Sequence, residues 1–380
     1  MEKTFKPGEK LYDSSYIVEK IIGKGGDGSI YVVHQNNDPD TKYAAKVFLK
    51  PDTIDDNYWK KHSDEALTSL RISHRPNPNL AKTYDVIVTN DNDIILIMEY
   101  IDGVTLKQYL NKHGSLTPKV ALNIFKKMLN GISQLHHYKQ KIIHRDLKPE
   151  NIMVSHDLSK VIIVDFGISS VIKEDINKVM TNEMELYGTA SYILPDLYDE
   201  YRKKGGERNI SVQSDFFSLG VILYEMLMGT LPFEPIQLVK DGNVVIGSDG
   251  RPSIDAVKTV RLPLRFDMIN ISANPTIPAT LENIIFKCLA SKPGDIKHRY
   301  TDIDQIIDDI NNCIPLLDRK TDNTPLLKPV KQRIFQGYSL IDIDSVRQGQ
   351  QWYKQWWFFF LIFAVAITIT IVAIIFFFVI

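Results

Sequence analysis

Cysteine is scarce: Cys288 and Cys313 are the only two in 380 residues. Two cannot build a disulfide framework, and Cys288 sits inside the apolar run "IIFKCLA", where a buried, inert thiol is expected. That usage points to a reducing compartment. Net charge is missing too, since 45 Lys and Arg stand against 46 Asp and Glu. No basic field marks a nucleic-acid surface, and no nucleic-acid partner is expected. The opening residues "MEKTFKPGEK" carry charge without an apolar core, so a secretory signal is not expected. Internal repeats are not evident, and no long apolar run occurs before residue 358.

That one run, residues 358–380, holds no charged residue, Pro or Gly. As a helix it spans roughly 34 Å, enough for a hydrocarbon core of about 30 Å. A soluble helix of that length normally shows a polar face. Trp352, Tyr353, Trp356 and Trp357 precede it together with Lys354, and such amphipathic rings suit the headgroup level. A single-pass C-terminal anchor in a lipid bilayer is therefore expected.

The preceding chain divides by texture. Residues 16–100 hold the strand-like runs "YIVEKII", "SIYVV", "YAAKVFL", "TYDVIVT" and "DIILIMEY", separated by turn clusters such as "NNDPD". One interruption, "DDNYWKKHSDEALTSLRI", reads as a helix. After residue 101 helices dominate. Thr117 and Pro118 open one as N-cap and first residue, with Val120, Ile124, Phe125, Met128, Leu129, Ile132 and Leu135 at helical spacing. "SDFFSLGVILYEMLMG" is apolar nearly all round and reads as a buried helix. "KDGNVVIGSDGRPS" reads as a hairpin or surface excursion with Asp-Gly turns. The expected organisation is an N-terminal extension at 1–15, a domain at 16–312 with a β-rich part (16–100) and a helical part (101–312), a linker at 313–357, and the anchor.

"IIGKGGDGSIYVV" places Gly23, Gly25 and Gly28 at G-x-G-x-x-G spacing. A dinucleotide fingerprint needs a helix directly afterwards, whereas "SIYVVH" is strand-like. The glycines therefore connect two antiparallel strands, a flap whose backbone N–H groups can approach phosphates because no Cβ intervenes.

With "YAAKVF", "IMEYI", "HRDLKPEN", "DFG", "GTASYILPD", "SDFFSLG" and "KHRYTD" following in this order, residues 16–312 resemble the eukaryotic-type serine/threonine protein kinases. The resemblance implies an α+β bilobal fold, with a small β-rich N-lobe carrying one helix and a larger helical C-lobe. It implies ATP and Mg²⁺ (Mn²⁺ as an alternative) as cofactors and proteins with Ser or Thr acceptors as substrates. Lys46 would orient the nucleotide's phosphates and pair with Glu65. Ile22, Ile30, Ala44, Met98, Glu99, Ile101 and Met153 would surround the nucleotide, with Met98 as gatekeeper. Asp146 would accept the acceptor hydroxyl's proton, Lys148 would reach the γ-phosphate, and Asn151 and Asp165 would hold the metal, a hard ion that prefers oxygen. His144, Arg145, Phe166, Gly167, Thr189, Asp215 and Arg299 would have structural or regulatory roles. Thr181 is a candidate phosphosite facing Arg145, and Glu183 or Glu185 could supply part of such charge permanently.

Three positions depart from the family's pattern. Asp196 stands where a Glu is usual, one methylene shorter toward Arg299. Ser69 and Thr83 fall where active kinases place apolar side chains in a buried column of the small lobe. They raise a rival reading, a membrane-held pseudokinase that binds nucleotide or a partner without efficient catalysis. The intact set of Lys46, Glu65, Asp146, Asn151 and Asp165 favours an active enzyme. The resulting expectation is a kinase domain facing the cytosol, with self-association for phosphorylation in trans.

Overall fold

The computed structural model describes residues 4–25, 28–50, 56–139, 141–166, 192, 194, 211–232, 237–240, 243–244, 277–290, 296–318, 322, 324–325, 327 and 340–342. Gly167, Thr181, Glu183, Glu185, Thr189, Asp196 and the expected anchor lie outside these. Among the described residues no helix is long and apolar enough to cross a membrane.

Strands β1 (Tyr16–Gly25), β2 (Gly28–Gln35) and β3 (Asp38–Phe48) are followed by helix α1 (Asp56–Ser73), then β4 (Thr83–Val88) and β5 (Ile94–Glu99). They form one five-stranded sheet in the order β1-β2-β3-β5-β4, antiparallel throughout. Period-2 alternation separates its faces. Ile95 and Ile97 join Tyr31, Val33, Ala45 and Val47 on one face, under Leu11 and Tyr16. Ile94 and Leu96 join Phe48 on the other, against Trp59 and Ala66 of α1. Both faces being covered, β5 reads as an unbroken apolar run.

Next come β6 (Val104–Thr105), α2 (Leu106–His113) and α3 (Pro118–His136), a 3₁₀ turn at Pro149–Asn151, then β7 (Ile152–Val154) and β8 (Val161–Ile163). Thr117 caps α3 by position, with Pro118 following, but its side chain makes no capping hydrogen bond. Helix α4 (Val212–Met228) is buried at every position from Ser214 to Leu227. Ser211 accepts from the Gln213 N–H at its start, and Gly229 ends it in the left-handed conformation. Helix α5 (Ala279–Leu289) crosses α4 so closely that a Cβ on Gly220 would stand 2.5 Å from the Cys288 Cβ. Helix α6 (Ile303–Cys313) packs on α3 and α5. Both cysteines are free and buried, and burial pushes both thiols well above their ordinary range, Cys313 to about 12.

The chain divides into two compact units, Met1–Phe233 with Pro263–Gln332, and Glu234–Leu262 with Arg333–Ile380. The second contains β9 (Gln237–Lys240), β10 (Asn243–Val244) and β11 (Leu340–Asp342). Lys240 pairs with Asn243 across two antiparallel strands; Asp241 and Gly242 between them lie outside the described residues.

Residues 313–357, expected to be linker, carry definite structure at several points. Cys313 ends α6, a 3₁₀ turn runs over Ile314–Asp318, and Leu340–Asp342 pairs in parallel with β9. Asp322 accepts from the Thr280 N–H and hydroxyl at 2.8 and 2.7 Å. Helix α5 starts at Pro278, which has no side-chain acceptor, so Asp322 caps it from a distance. Asn283 extends the contact, donating to Pro325 O and accepting from Leu327 N–H, both at 2.8 Å. These contacts join residues more than forty positions apart and leave no local periodicity to read.

Candidate active site

The site is framed from α4. Asp215 is wholly buried; its Oδ1 accepts from the Arg145 N–H at 2.9 Å, and its Oδ2 from the His144 N–H at 2.9 Å and His136 Nε2 at 2.8 Å. A buried carboxylate needs such donors. They hold Arg145 at φ +66°, a left-handed conformation costing a side-chain-bearing residue about 1–2 kcal/mol. His144 Nε2 reaches Val164 O at 3.1 Å, tying this loop to the segment that carries Asp165.

The next residues bring the polar groups together. Asn151 Nδ2 donates to Asp146 O at 2.8 Å and to Asp146 Oδ2 at 2.9 Å. Lys148 Nζ lies 3.1 Å from the same Oδ2. The Val164 N–H donates to Asn151 O at 3.0 Å, and Asp165 follows at φ +61°. With its amide nitrogen turned to Asp146, Asn151 keeps Oδ1 for a cation. Together with the Asp165 carboxylate it makes an all-oxygen donor pair that fits Mg²⁺.

Lys46 enters from β3, buried, with Nζ 2.9 Å from Asp165 Oδ2. Its expected partner Glu65 lies on α1, with a side chain outside the described residues; among the described residues Lys46 is ion-paired with Asp165. Ala44 pairs with Met98 across β3 and β5. The Glu99 N–H is engaged by Lys82 O at 2.8 Å. Ile22 is half exposed, Ile30 and Met153 are partly buried, and Gly25 pairs with Gly28 at the end of the β1–β2 ladder. Gly28 is required by the fold itself: its φ is +116° and a Cβ would stand 2.2 Å from Val47 O.

Ser69 and Thr83, the two polar departures, are both buried. They line one cavity with Lys46, Met98, Asp165 and Phe166, large enough for about one water molecule. Ser69 Oγ donates to Ala66 O within α1 at 2.7 Å. Arg299 is buried and donates to Ala290 O and Gln213 Oε1; its expected partner Asp196 is outside the described residues.

Two supports were not foreseen. In "HRPNPNL", which reads as an insertion, Asn79 Nδ2 donates to Val161 O at 2.8 Å and Asn79 O accepts from Ile163 N–H at 2.9 Å. This loop thereby braces β8, the strand leading to Asp165. The other is the Lys107–Glu225 pair at 2.7 Å. Its members are 118 residues apart, so spacing along the chain could not reveal it.

The protein kinase domain family matches residues 16–309. A Mycoplasma pneumoniae protein whose name places it among serine/threonine-protein kinases is 34% identical, over 90% of this chain and 89% of that one. Serine/threonine-protein kinase PrkC of Bacillus subtilis is 28% identical over 80% of this chain and 41% of its own length. In fold, the chain is similar to the kinase domain of Mycobacterium tuberculosis PknI, with a TM-score of 0.52 at 20% identity, covering 82% of this chain and 99% of that one.

Proposed function

The chain belongs to the protein kinase domain family, as a serine/threonine protein kinase of the eukaryotic type, and from that premise we propose that it transfers the γ-phosphate of ATP to Ser or Thr of proteins while held at a membrane by residues 358–380. The observation that carries the chemistry is the convergence on Asp146. Asn151 and Lys148 both contact its Oδ2, and the neighbouring Asp165 is fixed by Lys46.

In such a transfer the phosphoryl group carries dispersed negative charge, so catalysis rests on cations and positioning. Asp146 accepts the hydrogen bond of the acceptor hydroxyl and takes up its proton. Lys148, at contact distance from that carboxylate, is placed to meet the transferring oxygens, and Lys46 to orient the phosphates. Mg²⁺ held by Asn151 Oδ1 and Asp165 would neutralise charge on the nucleotide. Arg145 is exposed, which suits pairing with a phosphate on Thr181.

The membrane reading rests on the uncharged run at 358–380, with Lys328, Lys331, Arg333, Arg347 and Lys354 before it, in keeping with a cytosolic near side. Confinement to one surface raises the effective concentration of substrates there and of a second copy for phosphorylation in trans. The test has two arms. Purified protein with Mg-ATP and a generic protein acceptor is expected to incorporate phosphate, and Asp146→Asn to abolish it; incorporation by both refutes the assignment. In cells, full-length protein is expected in the carbonate-resistant membrane fraction and a form ending at residue 350 in the supernatant; identical partition of the two refutes the anchor.

A further inference from the structure

The small lobe holds a buried acid, Asp93, that the phosphotransfer described above does not use. Its two oxygens are taken by donors from different parts of the chain, as a buried carboxylate requires. One donor comes from the N-terminal residues. These fold back on β1: the Gly8 N–H donates to Val18 O at 2.8 Å, the Val18 N–H to Glu9 O at 2.9 Å and the Leu11 N–H to Tyr16 O at 2.8 Å. Leu11 is thereby wholly buried on the sheet, and Tyr12 follows in the left-handed region at φ +53°. Its hydroxyl donates to Asp93 Oδ2 at 2.6 Å. Burial first, and the Asp93 carboxylate second, push this phenol far above its ordinary range, so it stays protonated and donates. The other oxygen, Oδ1, accepts from the Lys50 N–H at 2.9 Å, just beyond the end of β3.

The preceding residue carries the link onward. Trp59, in the first turn of α1, donates its indole N–H to Asn92 O. Asn92 and Asp93 therefore fasten the chain on either side of the β3–α1 connection, at Lys50 and at Trp59. Trp59 is buried in one cluster with Phe48, Ala66, Ile94 and Leu96. The Phe48 ring lies 5.1 Å from Lys46 Nζ, within reach of a cation–π contact. Phe48 and Ser69 of α1 line the same cavity as Lys46 and Asp165. Tyr12, more than thirty positions before Lys46 in the chain, is thus joined to it by way of Asp93, Asn92, Trp59 and Phe48.

We propose that Tyr12 and Asp93 are positioning residues for the phosphotransfer: their hydrogen bond fixes where α1 enters, and through Trp59 and Phe48 it fixes Lys46 against the nucleotide. This rests on the kinase reading above and adds a control on that same site. The latch matters here because Ser69 and Thr83 place hydroxyls beside Lys46 and Phe166, where apolar side chains would hold α1 more firmly. A hydrogen bond to a charged group is worth about tenfold or more in a two-state equilibrium. Its loss is therefore expected to lower kcat/KM for ATP by about threefold to tenfold.

The experiment uses full-length protein carrying Trp352→Phe, Trp356→Phe and Trp357→Phe, which leaves Trp59 as the only tryptophan. Its emission reads the entry of α1, and transfer of labelled phosphate from Mg-ATP to a generic protein acceptor reads the site. Tyr12→Phe removes one hydroxyl. It should move the emission to longer wavelength, because the indole leaves its buried bond to Asn92 O, and lower kcat/KM for ATP while KM for the acceptor holds. Saturating Mg-ATP should return the emission toward the parent's, since events linked through one equilibrium act on each other reciprocally. Asp93→Asn keeps an acceptor for the Lys50 N–H and offers an amide to the Tyr12 oxygen, so it should restore most of what Asp93→Ala loses. Adding Tyr12→Phe to Asp93→Ala should cost nothing further in rate. A bond that serves stability alone would lower the melting temperature and leave both emission and kcat/KM as they are. Unchanged emission in Tyr12→Phe, or a change in kcat/KM under about twofold, overturns the inference. Should Asp93→Ala fail to fold, the Tyr12→Phe result decides by itself. A parent that transfers no phosphate would instead overturn the kinase reading, and this inference with it.

Discussion

Asp215→Ala is the sharpest test of how the site is built, because this carboxylate touches nothing that reacts. Its removal strands the N–H groups of His144 and Arg145, which both now donate to it at 2.9 Å. A buried donor left without a partner costs about 1–3 kcal/mol. The left-handed Arg145, worth about 1–2 kcal/mol of backbone strain, also loses what holds it. If part of the loss is recovered by relaxation of the loop, the expected destabilisation is about 3–5 kcal/mol. The same relaxation displaces Asp146, and a shift of about 1 Å in a catalytic group costs on the order of a hundredfold in rate. Asp215→Asn keeps one acceptor oxygen and turns an amide donor toward the other N–H, so it should fall between the two. Urea unfolding followed by tryptophan fluorescence reads stability, and phosphate incorporation per enzyme reads rate. A stability loss under about 1 kcal/mol, or an unchanged rate in the alanine variant, would refute the claim that Asp215 holds the catalytic loop.

Other consequences are as direct. Lys46→Met removes the cation paired with Asp165 and should lower kcat/KM for ATP by about 10²–10³-fold, measured by transfer of labelled phosphate; a loss under tenfold would contradict its role. Gly28→Ala places a Cβ 2.2 Å from Val47 O at φ +116°. It should destabilise the small lobe by about 1–3 kcal/mol and reduce the thermal shift given by ATP, and a variant as stable as the parent would show that this ladder is softer than it looks. For Asp322, burial opposes ionisation, but hydrogen bonds from Thr324 and Thr280 outweigh it and hold the carboxyl below the usual range of 3.8. Its contribution is therefore present above pH 3.8 and lost as pH falls below it. Asp322→Ala should lower stability by about 0.5–1 kcal/mol at neutral pH and by less in acid, read from melting curves at several pH values.

The groups proposed to react were legible because they lie close together in sequence and because each has a charge or a backbone requirement of its own. Asp146, Lys148 and Asn151 occupy one short loop, and the strands of the small lobe announce themselves by alternation or by unbroken apolar runs. The groups that position them were not legible. Glu225 lies in a helix whose apolar character hides it, and its partners Lys107 and Tyr192 are 118 and 33 residues away. The Asn79 loop reads as an insertion because its contacts are made by backbone atoms and a single amide, to a strand 82 residues on. Residues 322–327 read as linker for the same reason: Asp322 acts by satisfying the start of another helix, a need that belongs to α5. Ser69 and Thr83 stand out in the sequence as polar departures, and the fold gathers them, buried, against Phe166, although no sequence pattern reveals the cavity between them.

The clasp of Asp322 and Leu327 on α5 also sets a length. Any tether that begins there has residues 328–357 before the expected span, and with the Leu340–Asp342 pairing to β9 released, a chain of that size would reach at most about 100 Å when fully drawn out. With the anchor in a bilayer, the active site would then patrol a shell of that radius around a fixed foot. Phosphorylation would fall off with a target's height above the surface, a dimension that peptide assays in solution do not sample. Lengthening or shortening 328–357 would move that boundary without touching the chemistry.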